Sequence, residues 1–414
     1  MAEQPPLAPQ RAGSDGAGVG GQSPFGIGPK IAPSEMHARD AGDQTESDRP
    51  AIGESARVLG AHISQGTGRP LATNRQAYAA IDLGTNNCRL LIARPAGDSF
   101  VVVDAFSRVV RLGEGLAQTG LLSDIAMDRA VGALRICADK LMRRNVHLAR
   151  SVATEACRRA SNGAAFIDRV HRETGIRLNV ISAREEARLA VLGCHVLLEA
   201  GFGPALVFDI GGGSTELVLI ESGPTAPLIV DWVSVPWGVV SLTESSGGEG
   251  ETLADREARY AEMRGKVRDS FADFARRIAP ARDAADHSDA SGGLRLLGTS
   301  GTVTTLASLH LDLPQYDRSV VDGLIVPAAS MRAISERLST MAIAGRRELP
   351  CIGRERADLV VAGCAILECI LDLWPAARLG IADRGIREGI LRSMISAGDA
   401  GERARAAVHA LQAR

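Results

Sequence analysis

Two segments of one design, 127 positions apart, constrain this chain more than any other feature: Ala79-Ala80-Ile81-Asp82-Leu83-Gly84-Thr85-Asn86-Asn87-Cys88-Arg89-Leu90-Leu91-Ile92 and Leu206-Val207-Phe208-Asp209-Ile210-Gly211-Gly212-Gly213-Ser214-Thr215-Glu216-Leu217-Val218-Leu219-Ile220. Each reads as strand, aspartate, tight glycine turn, strand. A glycine turn between apolar runs signals a β-hairpin. Glycine also lets backbone N–H groups crowd an anion with no Cβ in the way. Two such hairpins imply a duplicated unit. Copies facing each other would hold a phosphate chain from both sides, with an acid near each end for Mg²⁺, a hard cation that prefers oxygen ligands.

The rest of the chain supports two α/β units. At 414 residues and 45% apolar content it can bury a large core, and its length favours two domains. Residues 1–75 are rich in Gly, Pro and Ser and are expected to form a disordered tail. The first unit is expected over 76–200, the second over 201–398, with 399–414 as a C-terminal end. In the first, β runs fall near 78–82, 88–93 and 99–106. A helix follows with Met127, Val131, Leu134, Ala138 and Leu141 at helical spacing and Ser123 or Asp124 as its cap, then strand, helix, strand and helix. The second repeats the order, with β runs near 205–209, 215–220 and 227–235, a helix over 252–278 and a strand at 294–298. Helices around 301–309, 328–341 and 356–373, a strand at 378–382 and a helix from 385 complete it. The polar, glycine-ended stretches 245–250 and 281–293 read as surface loops, the second carrying His287 as a solvated histidine. A cleft between the units is where a ligand is expected.

Composition excludes several functions. A net charge of −2 gives no global field for nucleic acid, and no apolar run is long enough to span a bilayer. The opening Met1-Ala2-Glu3-Gln4-Pro5-Pro6 lacks an apolar signal region, so neither nucleic-acid nor membrane partners are expected and a cytoplasmic location is. Three lysines stand beside 44 arginines, a skew that genome composition explains, so arginine numbers carry no weight. The seven cysteines form no CxxC pair and read as reduced core residues, which argues against a zinc site.

Read singly, Asp82 or Asp209 fits an ordinary hairpin closed by aspartate; the pair points to a site. Gly211, Gly212, Gly213, Ser214 and Thr215 offer N–H groups and hydroxyls to phosphate oxygens, and Glu216 follows within reach of a metal or its waters. Gly84, Thr85, Asn86 and Asn87 can do similar work in the first copy. At the helix start Ile181-Ser182-Ala183-Arg184-Glu185-Glu186, Ser182 and Glu185 stand at capping-box spacing. That leaves Glu186 without a local duty, kept ionised by the positive helix end and able to orient or deprotonate a water. A solvated glutamate on the helix face fits the same spacing. Gly298-Thr299-Ser300-Gly301-Thr302 reads either as an anion site at a helix N-terminus or as a tight strand-to-helix connection. Arg158, after a strand, could meet a phosphate.

Taken together, Asp82-Leu83-Gly84-Thr85-Asn86, Arg158 with Asn162, Ile181-Ser182 with Glu185 to Leu189, Asp209 to Leu217 and Gly298 to Thr302 resemble the exopolyphosphatase and guanosine pentaphosphate phosphohydrolase (Ppx/GppA) family. Arg356-Ala357-Asp358 with Gly363, and Asp383 to Gly389, extend the resemblance over about residues 78–396. It implies an α/β fold of two ribonuclease-H-like domains of the actin, Hsp70 and sugar-kinase type, and Mg²⁺-dependent removal of terminal phosphate by water. Carried over residue by residue, it makes Glu186 the catalytic glutamate, Asp209 and Glu216 the metal-linked acids and Arg158 a phosphate contact. Asp82, Gly84, Thr85, Asn86, Gly211 to Thr215, Ser300 and Gly301 become the phosphate loops. Asn87 stands where the family often has a hydroxyl residue, and the helical extension of the longer members is missing. Inorganic polyphosphate is the expected substrate, guanosine pentaphosphate a second one, and a homodimer the expected assembly. A kinase of the same fold and a non-catalytic sensor of polyphosphate or nucleotide are the rival readings.

Overall fold

The computed structural model describes residues 76–397, apart from 98, 222–226, 249–251 and 287–292. The expected tail, the 399–414 end and His287 lie outside the described residues. Ala77–Leu83 (β1), Asn87–Ala96 (β2) and Ser99–Val109 (β3) form an antiparallel meander. Leu116–Thr119 (α1), Asp124–Arg143 (α2), Val146–Ala153 (β4), Glu155–Arg159 (α3), Gly163–Thr174 (α4), Leu178–Val180 (β5) and Ala183–Cys194 (α5) follow. Pro204–Ile210 (β6), Thr215–Glu221 (β7) and Leu228–Val235 (β8) repeat the meander. Then come Val239–Ser245 (α6), Leu253–Asp286 (α7), Arg295–Thr299 (β9), Gly301–His310 (α8), Arg318–Val321 (α9) and Ile325–Pro327 (β10). Ala328–Thr340 (α10), Ile343–Glu348 (α11), Val360–Leu373 (α12), Arg378–Ala382 (β11) and a helix over 386–397 (α13) complete the fold.

The first sheet has the order β3-β2-β1-β4-β5, with β1, β4 and β5 parallel; the second, β10-β11-β9-β6-β7-β8, has β6, β9 and β11 parallel. In both, an antiparallel meander feeds a parallel half, so the chain folds as two ribonuclease-H-like domains of the actin type. Both faces of β1 are covered: Ala79 and Ile81 pack among α2 and α4 residues, while Tyr78 and Ala80 pack on the other side. A two-sided strand of this kind reads as an unbroken apolar run.

Two helices tie the halves together. Leu189 and Ala190 of α5 join a cluster with first-sheet residues, whereas Ala187, Val191 and Cys194 pack on Ala205, Val207 and Val218 of the second sheet. Ile386, Ile390, Leu391 and Ile395 of α13 return to the first sheet, so a division at residue 200 does not divide the packing. The two helices meet backbone to backbone: a Cβ at Gly193 would lie 2.0 Å from the Gly385 oxygen, and one at Gly389 2.0 Å from the Leu189 oxygen.

Several boundaries differ from the sequence reading: the helix expected over 356–373 begins at Val360, and β3 runs on from 106 to Val109. The long helix does not stop near 278 but continues to Asp286 through Pro280, because Ala281 and Ala285 extend the buried stripe of Met263, Val267, Phe271, Phe274 and Ile278. The 281–293 stretch is therefore helical in its first part. Residues 239–245, which have no assigned element in the sequence reading, form α6, and Ser245 closes this helix rather than opening a loop.

Candidate active site

The duplicated turns are the same turn. Gly84 N–H donates to the Asn87 oxygen and Gly211 N–H to the Ser214 oxygen, each at 2.9 Å. The turns meet face to face: a Cβ at Gly212 would lie 3.0 Å from the Asn86 nitrogen, and one at Gly213 2.6 Å from Thr85 Oγ1. A side chain on either glycine would close the space between the hairpin tips. Across β1–β2, Asp82 pairs in register with Arg89; across β6–β7, Asp209 pairs with Glu216. The copies thus share a backbone but place a cation opposite the first acid and a second acid opposite the other.

Behind these tips lies a cavity of about 120 Å³ between the two sheets. It brings together Asp82, Gly84, Thr85, Asn86, Glu186, Asp209, Gly211, Gly212, Gly213, Ser214, Ser300 and Gly301, residues from four separate stretches of sequence. Ser300 caps α8 by accepting from Thr302 and Val303 N–H, and aims that helix end at the cavity. Ser182 caps α5 by accepting from Glu185 N–H at 3.2 Å, which sets Glu186 one residue further into the cleft.

Three of the expected site residues do not line the cavity. Thr215 is fully buried, and its hydroxyl donates to the Trp237 oxygen at 2.7 Å. Successive strand side chains point to opposite faces, so Thr215 turns away where Ser214 turns in. Arg158 does not face the cavity; it donates to Glu155 at 2.5 and 3.1 Å, to Glu186 at 3.1 Å and to the Ile181 oxygen at 2.7 Å. Glu216 lies behind the cavity wall, its Oε1 accepting from the Ser214 and Ser234 hydroxyls at 2.8 Å each. Conversely, Arg89, Glu155 and Arg356 line the cavity without a role assigned from sequence. The signal for Arg89 was a cation on β2 in register with Asp82 across the hairpin.

Glu186 is 6% exposed, which overturns the solvated reading. Burial, with Glu216 and Asp82 nearby, pushes its pKa well above the ordinary carboxylate value, and Arg158 opposes the rise. Burial also raises Asp82, with Arg89 opposing. Asp209 is pushed up to about 7 by burial and by Glu186, and Glu216 to about 7 by burial and by Asp209. Burial works against the charge on Arg158, but Glu186 and Glu155 outweigh it and hold its pKa up. Asp82, Glu186 and Asp209 lining one cavity, with Glu216 behind its wall, is an arrangement that a cation relieves.

Among the described residues no ready-made cluster of three or more His, Cys, Asp or Glu ligands is present. The donor chemistry nonetheless fits a hard cation: Asp82, Asn86 and Asn87 each keep a buried Oδ1 without a hydrogen-bond partner. All are oxygens at the cavity.

Residues 91–397 match the Ppx/GppA phosphatase family. A provisionally named exopolyphosphatase of Haemophilus influenzae is 28% identical over 327 residues, spanning 78% of this chain and 92% of its own. The crystal structure of an exopolyphosphatase-like protein is 31% identical with a TM-score of 0.66, covering 77% of this chain and 97% of that one. The Aquifex aeolicus member of the Ppx/GppA family is 26% identical with a TM-score of 0.61, covering 78% and 98%.

Proposed function

Because the chain belongs to the Ppx/GppA phosphatase family, we propose that it is a Mg²⁺-dependent hydrolase releasing terminal phosphate from inorganic polyphosphate, with guanosine pentaphosphate as a second substrate. The observation that carries this reading is the position of Glu186, buried beside two opposed glycine turns and held at 3.1 Å by Arg158. The N–H groups of the turn residues after Gly84 and after Gly211, with the N-terminus of α8, would supply preorganised donors for phosphate oxygens. Arg89 and Arg356 add positive charge on the wall where the phosphoryl group would sit. Arg158 orients Glu186, and in its ionised form Glu186 takes a proton from the attacking water.

Asp82 and Asp209 are the residues that would hold Mg²⁺, with Glu216 behind them as a further negative charge. When bound, the ion neutralises charge on the transferred phosphoryl group and favours the ionised form of the neighbouring acids. The proposal extends to a homodimer acting in the cytoplasm, where the seven free cysteines would stay reduced. The kinase and sensor readings have no comparable support, since the matched family is one of phosphatases.

The test is phosphate release from polyphosphate and from guanosine pentaphosphate, side by side and with no acceptor present. Wild-type protein is expected to release phosphate, and Glu186→Gln to lose roughly 10²–10⁴-fold in rate with its thermal transition retained. A wild-type protein inert toward both substrates ends the proposal. An active Glu186→Gln variant removes the role given to Glu186.

A further inference from the structure

Arg356 reaches the catalytic cavity from the loop that joins α11 to α12, and one side chain of the first domain holds that loop from across the cleft. Arg111, two residues past β3, donates through Nη1 to Asp358 Oδ2 at 3.1 Å, and through Nη2 to Asp358 Oδ1 at 3.2 Å and to the Glu355 oxygen at 2.8 Å. Its planar fork grips the residue before Arg356 and the residue two after it. The side chains of Arg111 and Asp358 are 31% and 33% exposed, so the pair contributes little as bare charge. What it supplies is a fixed geometry.

The other end of this grip is fastened to the first glycine turn. Val110 and Arg111 N–H both donate to the Asn86 oxygen, at 2.8 and 3.0 Å, and Gly113 N–H donates to the Thr85 oxygen at 2.9 Å. Arg111 takes a left-handed φ of 45°, which is uncommon for arginine. A Cβ at Gly113 would lie 2.2 Å from Thr85 Cγ2, so this loop sits directly on the turn. Arg129 fixes its outer side by donating to the Val110 and Arg111 oxygens at 2.8 and 3.1 Å. Arg356 has a reason to be held. Its guanidinium and that of Arg89 come within 3.5 and 3.8 Å of the place where a Gly301 Cβ would stand. Burial and Arg89 lower the pKa of Arg356, with Glu355, Tyr316 and Asp383 opposing. Two cations this close repel, and a loop free to move would carry Arg356 away from the cavity.

We propose that Arg111 and Asp358 are positioning residues that couple Asn86 of the first turn to Arg356, so that turn and guanidinium meet the transferred phosphoryl group as one unit. The inference rests on the phosphate role given to Arg356 above and deepens it. An ion pair that only tied the domains together would have no reason to straddle Arg356. Neither would it need a backbone fastened to Asn86, the residue that lines the same cavity from the opposite domain.

The experiment measures phosphate release from tripolyphosphate by wild type, Arg111→Ala, Arg111→Lys, Arg356→Ala and the double variant Arg111→Ala/Arg356→Ala. Arg111→Ala is expected to lose about 10- to 100-fold in kcat, the scale of a misplaced group, with its thermal transition retained. The loss in kcat should exceed any rise in KM, because the place of a guanidinium matters most where charge develops. Arg111→Lys keeps the charge without the fork and should remain impaired. Full activity in either single Arg111 variant overturns the proposal while leaving the hydrolase reading intact. In the Arg356→Ala background the Arg111 change should cost nothing further, since the two act in series; additive losses overturn the coupling. Amide exchange decides the hold separately, even if the wild type proves inactive. Leu359 and Val360 N–H both donate to the Arg356 oxygen at 3.0 Å, and in Arg111→Ala they should exchange about ten-fold faster while the middle of α12 stays as protected as in wild type. Unchanged exchange at these two positions overturns it.

Discussion

Ser300 adopts φ 148° and ψ 171°, a conformation that belongs almost wholly to glycine. Holding a serine there costs about 1–3 kcal/mol, and the surroundings show why it is kept. The hydroxyl caps α8, while the backbone lines the cavity. Ser300→Gly should relieve the strain and lose only a few tenths of a kcal/mol from the cap. The expected result is a melting point higher by a few degrees, for about 1 kcal/mol gained, together with slower phosphate release. A variant both less stable and fully active would contradict this. Single residues were the least legible part of the site. Glu186 reads as ionised because its helix and cap are local, whereas Glu216 and Asp82, which raise its pKa, arrive from β7 and β1. Thr215 is the opposite case, since the alternation of Ser214, Thr215 and Glu216 along one strand already carried the answer. Arg158 could not be placed from its own segment, because both the Ile181 oxygen and Glu186 lie more than twenty residues away.

At the scale of elements, the hairpins were plain in the sequence because a turn and its two strands are adjacent. The contact between their tips was legible only in outline. Helix α5 is the element that makes the site, since one side belongs to each sheet and Glu186 projects at the seam. Its crossing with α13 requires glycine at two points. In Gly389→Ala the new methyl would meet the Leu189 oxygen and force the helices apart, at a cost of about 1–3 kcal/mol. A lower melting point is expected, with phosphate release reduced beyond the loss of folded protein, because Leu189 lies one turn from Glu186. Gly265→Ala makes the internal comparison: it sits inside α7 with nothing within 4 Å, so the same change should stabilise by about 0.5–1 kcal/mol. Equal effects of the two changes in calorimetry would refute the tight crossing. The end of α7 was missed for a related reason, its apolar stripe passing to alanines too small to register as core.

The whole molecule carries an unusual dependence on pH. Asp82, Glu186, Asp209 and Glu216 all have raised pKa values in the folded state. The folded protein therefore binds protons that the unfolded chain has released, and stability declines as pH rises from about 4 through about 7. Asp104, Glu185 and Asp231 have lowered values, held down by hydrogen bonds from Lys140, Arg188 and Arg277 respectively, and they act in the opposite sense at lower pH. For metal-free protein, the melting point is expected to fall between about pH 5 and about pH 8. Added Mg²⁺ should restore it at the upper value and do little at the lower, where protons compete for the same oxygens. Thermal melts across that range, with and without the ion, check both halves; a metal-free protein that gains stability toward pH 8 would refute the shared acidic cavity.

The return of α13 to the first sheet orders events during synthesis. A ribosome that has delivered residues 76–200 has supplied all five strands of the first sheet, yet one face still lacks Ile386, Ile390, Leu391 and Ile395. Nearly two hundred more amino acids must be joined before that face can be covered. The nascent first half thus waits, one side covered only in part by α5, for the second half to be translated, and a chain cut short before α13 would leave that face of the first half unfinished.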